Sequence, residues 1–351
     1  MSRQPAVIAS AGAVCSVGIG VPQVAASVRA GLSRFAESSV YDRRFEPMRM
    51  ALLPETALKA LVPSVETAGL TSRVRRMLRL AAPALQQAVK GIDPVGRVPV
   101  FVGLPEAYKA RPAPADAKFI QHLKAQSDIE FDVGGSRIFP NGRAAALLAL
   151  EAAVQCLADR RAEVVVVGGV DTFLDLALLS ELDVDDRLLG DYVMDGFVPG
   201  EGAAFLTLRF PTGRSVGTPA ILGVGCAQDP GHRFSDQPAK GEGLAEAIDR
   251  MLGTLPGPPA SVQRTFGSLN GESFGGKEWG VARLRHTQLF DPAADMEHPA
   301  DCFGDTGAAC GALLLALAQH SLSHKQMAGP MLVWASSDGP DRACAYVDFL
   351  A

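Results

Sequence analysis

The run Gly271-Glu272-Ser273-Phe274-Gly275 has the G-x-S-x-G spacing that exposes a serine hydroxyl on a tight strand-to-helix turn. Such a serine attacks acyl carbonyls when a histidine takes its proton and a carboxylate orients that histidine. Asp305, then His320 or His324, follow in the chain order that this triad needs, so a serine hydrolase acting through Ser273 is one reading. Against it, most of a sheet would have to precede the turn, and both histidines fall at the tail of a helical run. A second corner lies in residues 136–157, "SRIFPNGRAAALLALEAAVQCL", where a β-prone run meets Pro-Asn-Gly and an alanine- and leucine-rich helix begins at once. The residue at this corner is Arg143. A guanidinium stays protonated and offers no lone pair, so it cannot be a nucleophile. At a helix N-terminus it is disfavoured by roughly 0.3–1 kcal/mol, and burial adds several more unless an anion touches it. Arg143 is therefore expected to meet a carboxylate of the chain, to bind an anionic small ligand, or to lie solvated on a shifted loop.

Other chemistry is poorly supported. The six cysteines form no C-x-x-C and do not lie near a histidine at zinc-ligand spacing, which points to buried free thiols in a reducing compartment and no metal. The six histidines read as surface residues, with His122 in a charged helix. There is no phosphate-binding G-x-x-x-x-G-K-[ST] loop, and "SVGIGVPQ" holds only two of the three glycines of a dinucleotide fingerprint, so no cofactor is expected.

The elements that must position these residues alternate between strand and helix, which indicates an α/β fold with parallel strands. "AVIASAGAV" is a strand followed by a helix from about Val21, "RVPVFVGLP" a strand, and "AEVVVVGGVDT" a β-branched run of the kind buried on both faces. "GEGAAFLTLRF" is a further strand. After the turn-rich "PTGRSVGTP" the order restarts with "AILGVGCAQ", "GEGLAEAIDRMLGTL", "RTFGSLNGES", "FGDTGAACGALLLALAQHSL", "MLVWASS" and "RACAYVDFL". The order of elements suggests an internal duplication, with halves at 1–210 and 211–351. The Pro- and Ala-rich segment 105–117 reads as an exposed, mobile loop or lid. With 351 residues, 48% hydrophobic and 20% charged, the composition is globular. A net charge of −5 without a long basic run argues against nucleic acid. No stretch approaches 18 apolar residues, so no membrane span is expected, and the N-terminal run reads as a strand and loop rather than a signal peptide. A cytoplasmic location follows from that reading.

"VVVVGGVDT" and "DGFVPGEGAAFLTL" resemble the β-ketoacyl synthase family of condensing enzymes, in which a strand ending Gly-Gly-[Val/Ala]-[Asp/Glu] is followed by Asp-Gly-Phe-x-x-Gly-Glu-Gly-Ala. The opening "VIASAGAVCSVGIGVPQVAASVRAGLSRF" and the late "FGDTGAACGALLLALA" are similar to other parts of that family, and only the region of roughly 40–127 lies outside the likeness. The resemblance implies a thiolase-like five-layered αβαβα sandwich with two pseudo-repeated halves. It also implies a nucleophilic Cys, two His and a Lys. On this chain those positions fall on Arg143 (or Gly142 with a one-residue slip), Asn270, Asp305 and Ala300, while the family's oxyanion loop is approximated only by "SSDGPDR". Asn270 cannot take a proton at neutral pH, and an ionised Asp305 opposes the enolate formed by malonyl decarboxylation. Cys310 is a substitute nucleophile only if it leaves a helix entry that reads as packing. The resemblance thus implies a condensing-enzyme homologue without catalytic residues, with a pocket cluster of Arg143, Glu272 and Asp305, in which Arg143 pairs with either or both carboxylates. Its partners would be a second copy or an active synthase-like subunit, in the manner of a chain-length factor, with an acyl carrier protein or anionic small ligand as further possibilities. An active acyltransferase of the 3-oxoacyl-ACP synthase type with an altered site is the alternative.

Overall fold

Apolar β-branched runs become the inner strands, and alanine-rich runs become the helices between them. The computed structural model describes residues 4–92 and 95–350. The chain forms β1 (Ala6–Cys15), β2 (Gly18–Ile19), α1 (Val21–Arg29), a hairpin of β3 (Ala36–Tyr41) and β4 (Pro47–Met50), α2 (Pro63–Glu66), α3 (Ser72–Ala88), β5 (Pro99–Gly103), α4 (Lys118–Ser127) and β6 (Asp132–Phe139). It continues through α5 (Ala145–Ala158), β7 (Val164–Thr172), α6 (Leu176–Val184) and β8 (Glu201–Arg209). The remainder is β9 (Pro219–Gln228), α7 (Glu242–Leu252), β10 (Val262–Gly267), α8 (Ser273–Arg285), β11 (Phe290–Glu297), α9 (Ala300–Phe303), α10 (Cys310–Ser323), β12 (Met331–Ser336) and β13 (Asp341–Phe349).

The strands lie in the order β6-β5-β7-β8-β1 followed by β9-β13-β12-β10-β11, joined where Ala6 and Val7 pair with Ile221 and Ala220. Setting aside β2 and the hairpin, each set of five has the same internal order and the same directions. The strands corresponding in chain order to β5, β6 and β7 run parallel, and the last strand of each set is antiparallel to both its neighbours. The sheet is therefore mixed and not wholly parallel. An antiparallel final strand carries the same buried apolar run as a parallel one, so periodicity alone does not reveal it.

α5 and α10 lie at the centre, with α5 against β5 and β7 on one side and β9 and β13 on the other, and α10 against β8 and β12. α3 and α4 cover the outer face of the first set, and α7 and α8 that of the second. The result is five layers, αβαβα. α5 is alanine- and leucine-rich, which suits a helix enclosed on nearly all sides. The central layer is tight: a Cβ on Gly169 would lie 2.1 Å from the carbonyl oxygen of Ala308.

The region of about 40–127, outside the sequence likeness, supplies β4, α2, α3, β5 and α4. β11 was not legible as a strand because its sequence contains Pro292, which an edge strand tolerates. His320, expected at the surface, is buried at the end of α10, with its ring 4.0 Å from that of His324. Burial pushes its imidazole down, with help from His324. Among the described residues, no helix is long and apolar enough to cross a membrane.

Candidate functional site

The corner before α5 is built by Gly142, which takes φ 65°, and by a short 3-10 turn over Gly142–Ala144. Ser337, just beyond β12, fastens it: its hydroxyl accepts from the Ala144 amide at 3.0 Å and donates to the Asn141 carbonyl. Arg143 is turned inward and buried. Its Nε donates to Asp305 Oδ2 at 2.7 Å, its Nη2 donates to the same oxygen, and its Nη1 reaches Asp338 Oδ1 at 2.8 Å. Every guanidinium nitrogen is thus engaged by a carboxylate of the chain, which leaves neither a solvated Arg143 nor a cation free to bind an external anion.

Asp305 is positioned by backbone. Its N–H donates to the Val198 carbonyl and its carbonyl accepts from Gly200, both at 2.8 Å, while its Oδ1 accepts from the Gly307 amide at 2.8 Å. The "DGFVPGEGA" stretch therefore forms a ladder beside the site. Its Phe197 ring also lies 5.7 Å beneath the Arg143 guanidinium and 5.4 Å beneath that of Arg187. Its Glu201 is fully buried, accepting from Arg76 Nε at 2.5 Å, from the Leu53 amide at 2.7 Å and from Thr172 Oγ1 at 2.8 Å.

Glu272 belongs to the same cluster but does not pair directly with Arg143. Arg187 holds it in a fork, Nε to Oε1 at 2.9 Å and Nη2 to Oε2 at 2.8 Å, and Arg233 approaches Oε1 at 3.0 Å. Asn270 bridges the two halves of the cluster, its Nδ2 donating to Glu272 Oε2 at 3.1 Å and Asp305 Oδ2 at 2.8 Å. Asp338 is the hub: besides Arg143 it accepts from Arg187 Nη1 at 2.7 Å and Nη2 at 3.0 Å, with Arg233 Nε 3.4 Å away. Burial pushes the Asp338 carboxyl up, but the charges of Arg143, Arg187 and Arg233 outweigh it and hold the group well below the usual carboxylate range. Three arginines and three carboxyl groups thus form one lattice, which contains the expected cluster of Arg143, Glu272 and Asp305.

Sequence reasoning missed Arg187, Arg233, Asp338 and Glu106. Arg187 is surrounded by acidic residues in "ELDVDDRLLGD", which disguises it as a surface residue. Asp338 lies within the "SSDGPDR" loop, and buried Arg342 fixes that loop by donating to the Ser337 and Gly339 carbonyls at 2.9 and 2.6 Å. Glu106 lies in segment 105–117, whose first residues fold inward instead of standing exposed: Pro105 and Tyr108 are buried. Glu106 Oε1 accepts from the Asp338 amide at 3.0 Å and Oε2 from Gly339 at 2.9 Å. It also packs over Gly142, where a Cβ would fall 2.2 Å from Glu106 Oε1. Gly142→Ala meets both this clash and a left-handed φ, and is expected to lower stability by about 1–3 kcal/mol in urea unfolding.

The remaining cavity at the corner is about 40 Å³, bordered by Arg73, Glu106, Arg143, Asp171, Gly307 and Asp338 among others. Pockets that enclose a sizeable organic ligand measure roughly 300–1,000 Å³. An acyl chain does not fit. Cys310 is buried at the head of α10, where burial and then the Asp305 charge push its thiol up, away from the thiolate. Ala300 opens α9 and carries no functional group. Ser273, first residue of α8, donates its hydroxyl to Asp195 at 2.7 Å and its amide to the same carboxylate at 2.6 Å. Asp305 is committed to Arg143, and His320 and His324 are at the far end of α10, so these four residues do not assemble as a triad.

The fold is that of the thiolase-like αβαβα sandwiches. Among solved structures it is shared with ketosynthases, over 99% of this chain in each of the following comparisons. The ketosynthase ApeO in complex with its chain length factor ApeC, from Xenorhabdus doucetiae, matches with TM-score 0.79 at 16% identity, over 98% of its chain. The ishigamide ketosynthase/chain length factor matches with TM-score 0.72 at 20% identity, over its full length. The oxazolomycin ketosynthase domain OzmH KS7 of Streptomyces albus JA3453 matches with TM-score 0.78 at 16% identity, over 75% of its chain. No family model and no curated protein matches the sequence.

Proposed function

We propose that this chain is a ketosynthase-fold protein without condensing activity, with halves at 1–210 and 211–351, that acts as a partner subunit or scaffold. Arg143, Asn270 and Asp305 stand at the positions of the family's Cys, His and His. The observation that carries the reading is Arg143 itself, buried at the corner with all its nitrogens on Asp305 and Asp338. A site without a nucleophile and without room for an acyl chain has no route through acylation.

The partner reading draws on two features. Ketosynthases paired with a chain length factor are among the structures of the same fold. Among the described residues β6 pairs with β5 alone, which leaves its other edge open to a like strand of a synthase-like partner or a second copy. An acyl carrier protein is a further candidate, since one similar ketosynthase was solved in complex with one. Intact-protein mass spectrometry after incubation with an acyl thioester is expected to show no adduct. An acyl group on any cysteine, retained through proteolytic mapping, would overturn the proposal.

A further inference from the structure

We propose that the cavity between the β3–β4 hairpin and the end of α6 is a binding site for an aliphatic ammonium cation, with Asp183 as its anchor. The last turn of α6 and the residues just after it carry Glu181, Asp183, Asp185 and Asp186, at the end where the helix dipole disfavours negative charge. Three of these four have a cation. Arg111 lies 3.5 Å from Glu181, Lys109 Nζ lies 2.5 Å from Asp185, and Arg43 pairs with Asp186. Asp183 is the exception, although it is buried, at 7% exposure. Its Oδ2 accepts from the Arg43 amide at 2.8 Å, while among the described residues its Oδ1 has no partner and no basic side chain meets either oxygen. A carboxylate so deeply buried is ordinarily paired with a cation, because desolvation otherwise penalises its charge. Space for such a cation is at hand, since Asp183 borders a cavity of about 90 Å³.

The other walls carry the same sign of charge. Glu37 of β3, Asp42 and Glu46 of the hairpin turn and Asp191 of the loop after α6 join Asp183, against the guanidiniums of Arg44 and Arg49, for a net charge of −3. Those two arginines are directed at Asp186 and Asp191, at 4.0 and 3.9 Å, and Arg44 also covers the Tyr192 ring at 4.9 Å. The hairpin side is preformed, because Asp42 Oδ1 accepts from the Arg44 and Glu46 amides, both at 2.8 Å. A calcium ion would need six to eight oxygens gathered around one point. Among the described residues, no three acidic, histidine or cysteine side chains stand close enough to hold a metal ion. An ammonium group, with three rotatable donors, can instead meet carboxylates one at a time. One water needs roughly 10–15 Å³ measured in the same way, so the cavity takes an ammonium head and several methylenes of its stem. A free polyamine and the lysine side chain of a partner protein both present this chemistry.

The inference goes beyond the scaffold reading, and its readout does not involve acyl transfer, so the two stand or fall separately. Spermidine and N-acetyl-lysine methylamide are to be titrated calorimetrically, at fixed ionic strength, into the wild type and Asp183→Asn. The asparagine keeps an oxygen for the Arg43 amide and removes only the charge. Saturable binding to the wild type is expected, weakened about 30-fold or more in the variant. Tighter binding of spermidine supports a free polyamine as the ligand, and tighter binding of the capped lysine supports a partner's side chain. Equal affinities in the two proteins, or no binding of either probe, would overturn the site. Calcium that displaces both probes would overturn the ammonium assignment. Thermal unfolding without any probe gives a second readout. Freed of an uncompensated buried charge, Asp183→Asn is expected to melt above the wild type. A lower Tm, or failure to fold, would show that the chain itself compensates the charge, and would overturn the proposal.

Discussion

Replacing Asp338 with alanine is expected to lower the unfolding free energy by about 3–5 kcal/mol, read from denaturant titration. The Asp338 carboxylate contacts Arg143, Arg187 and Arg233 together. Without it, three buried or half-buried cations share Glu272 and Asp305, and Arg143 Nη1 loses its partner. The cost arises mainly from leaving charge buried and uncompensated, more than from the loss of attraction itself. The acid limb of stability should change as well. A carboxyl depressed in the folded state stabilises at pH values above its unfolded pKa and loses that contribution as pH falls. Wild-type stability should therefore decline below about pH 4, near the ordinary aspartate value, and Asp338→Ala should show a shallower decline. An Asp338→Ala protein as stable as the wild type would show that the lattice contributes little.

Arg143→Cys places a thiol at the corner, and the expected result is a protein weakened by about 3–5 kcal/mol that forms no acyl-enzyme. Asp305 and Asp338 would each lose a guanidinium contact and face a neutral sulfur. Nearby carboxylates and burial raise a thiol's pKa, so almost none would be thiolate. Asn270 cannot remove the proton, and removing one member of a catalytic unit costs on the order of 10⁶ in rate in a well-studied protease. Thioester incubation with mass detection checks this directly. Acylation of Cys at position 143 at a rate near that of an active synthase would mean that the surroundings had kept their catalytic capacity.

The strands and helices of both halves were readable because each is a local apolar run with clear turns. The antiparallel closing strands were not, since direction is decided by connections and not by composition. Within the site, Arg143 and Asp305 were readable because each is held next to a glycine-rich motif whose register can be counted. Asp338, the second carboxylate on Arg143, was not, because it reaches Arg143 from 195 residues away in sequence and Arg187 from 151. Glu272 was one of two carboxylates left open as the partner of Arg143; Arg143 takes Asp305, and Glu272 pairs with Arg187 and Arg233, a choice that nothing local in the sequence decides. The loop holding Glu106 looked exposed on composition alone, yet the half-buried Glu106 carboxyl and the buried Tyr108 draw it inward.

The close approach at Gly169 has a separate bearing on how such a chain can change. The clearance between β7 and the turn that enters α10 is set by the absence of a side chain at Gly169 and by the alanines around it. Any larger residue there would drive the central helices and both flanking sheets apart, whatever its polarity. Reactive side chains at the corner can be exchanged one at a time against a neighbouring charge, whereas this spacer has no substitute. Among relatives of this fold, the smallest residues should be the last to vary.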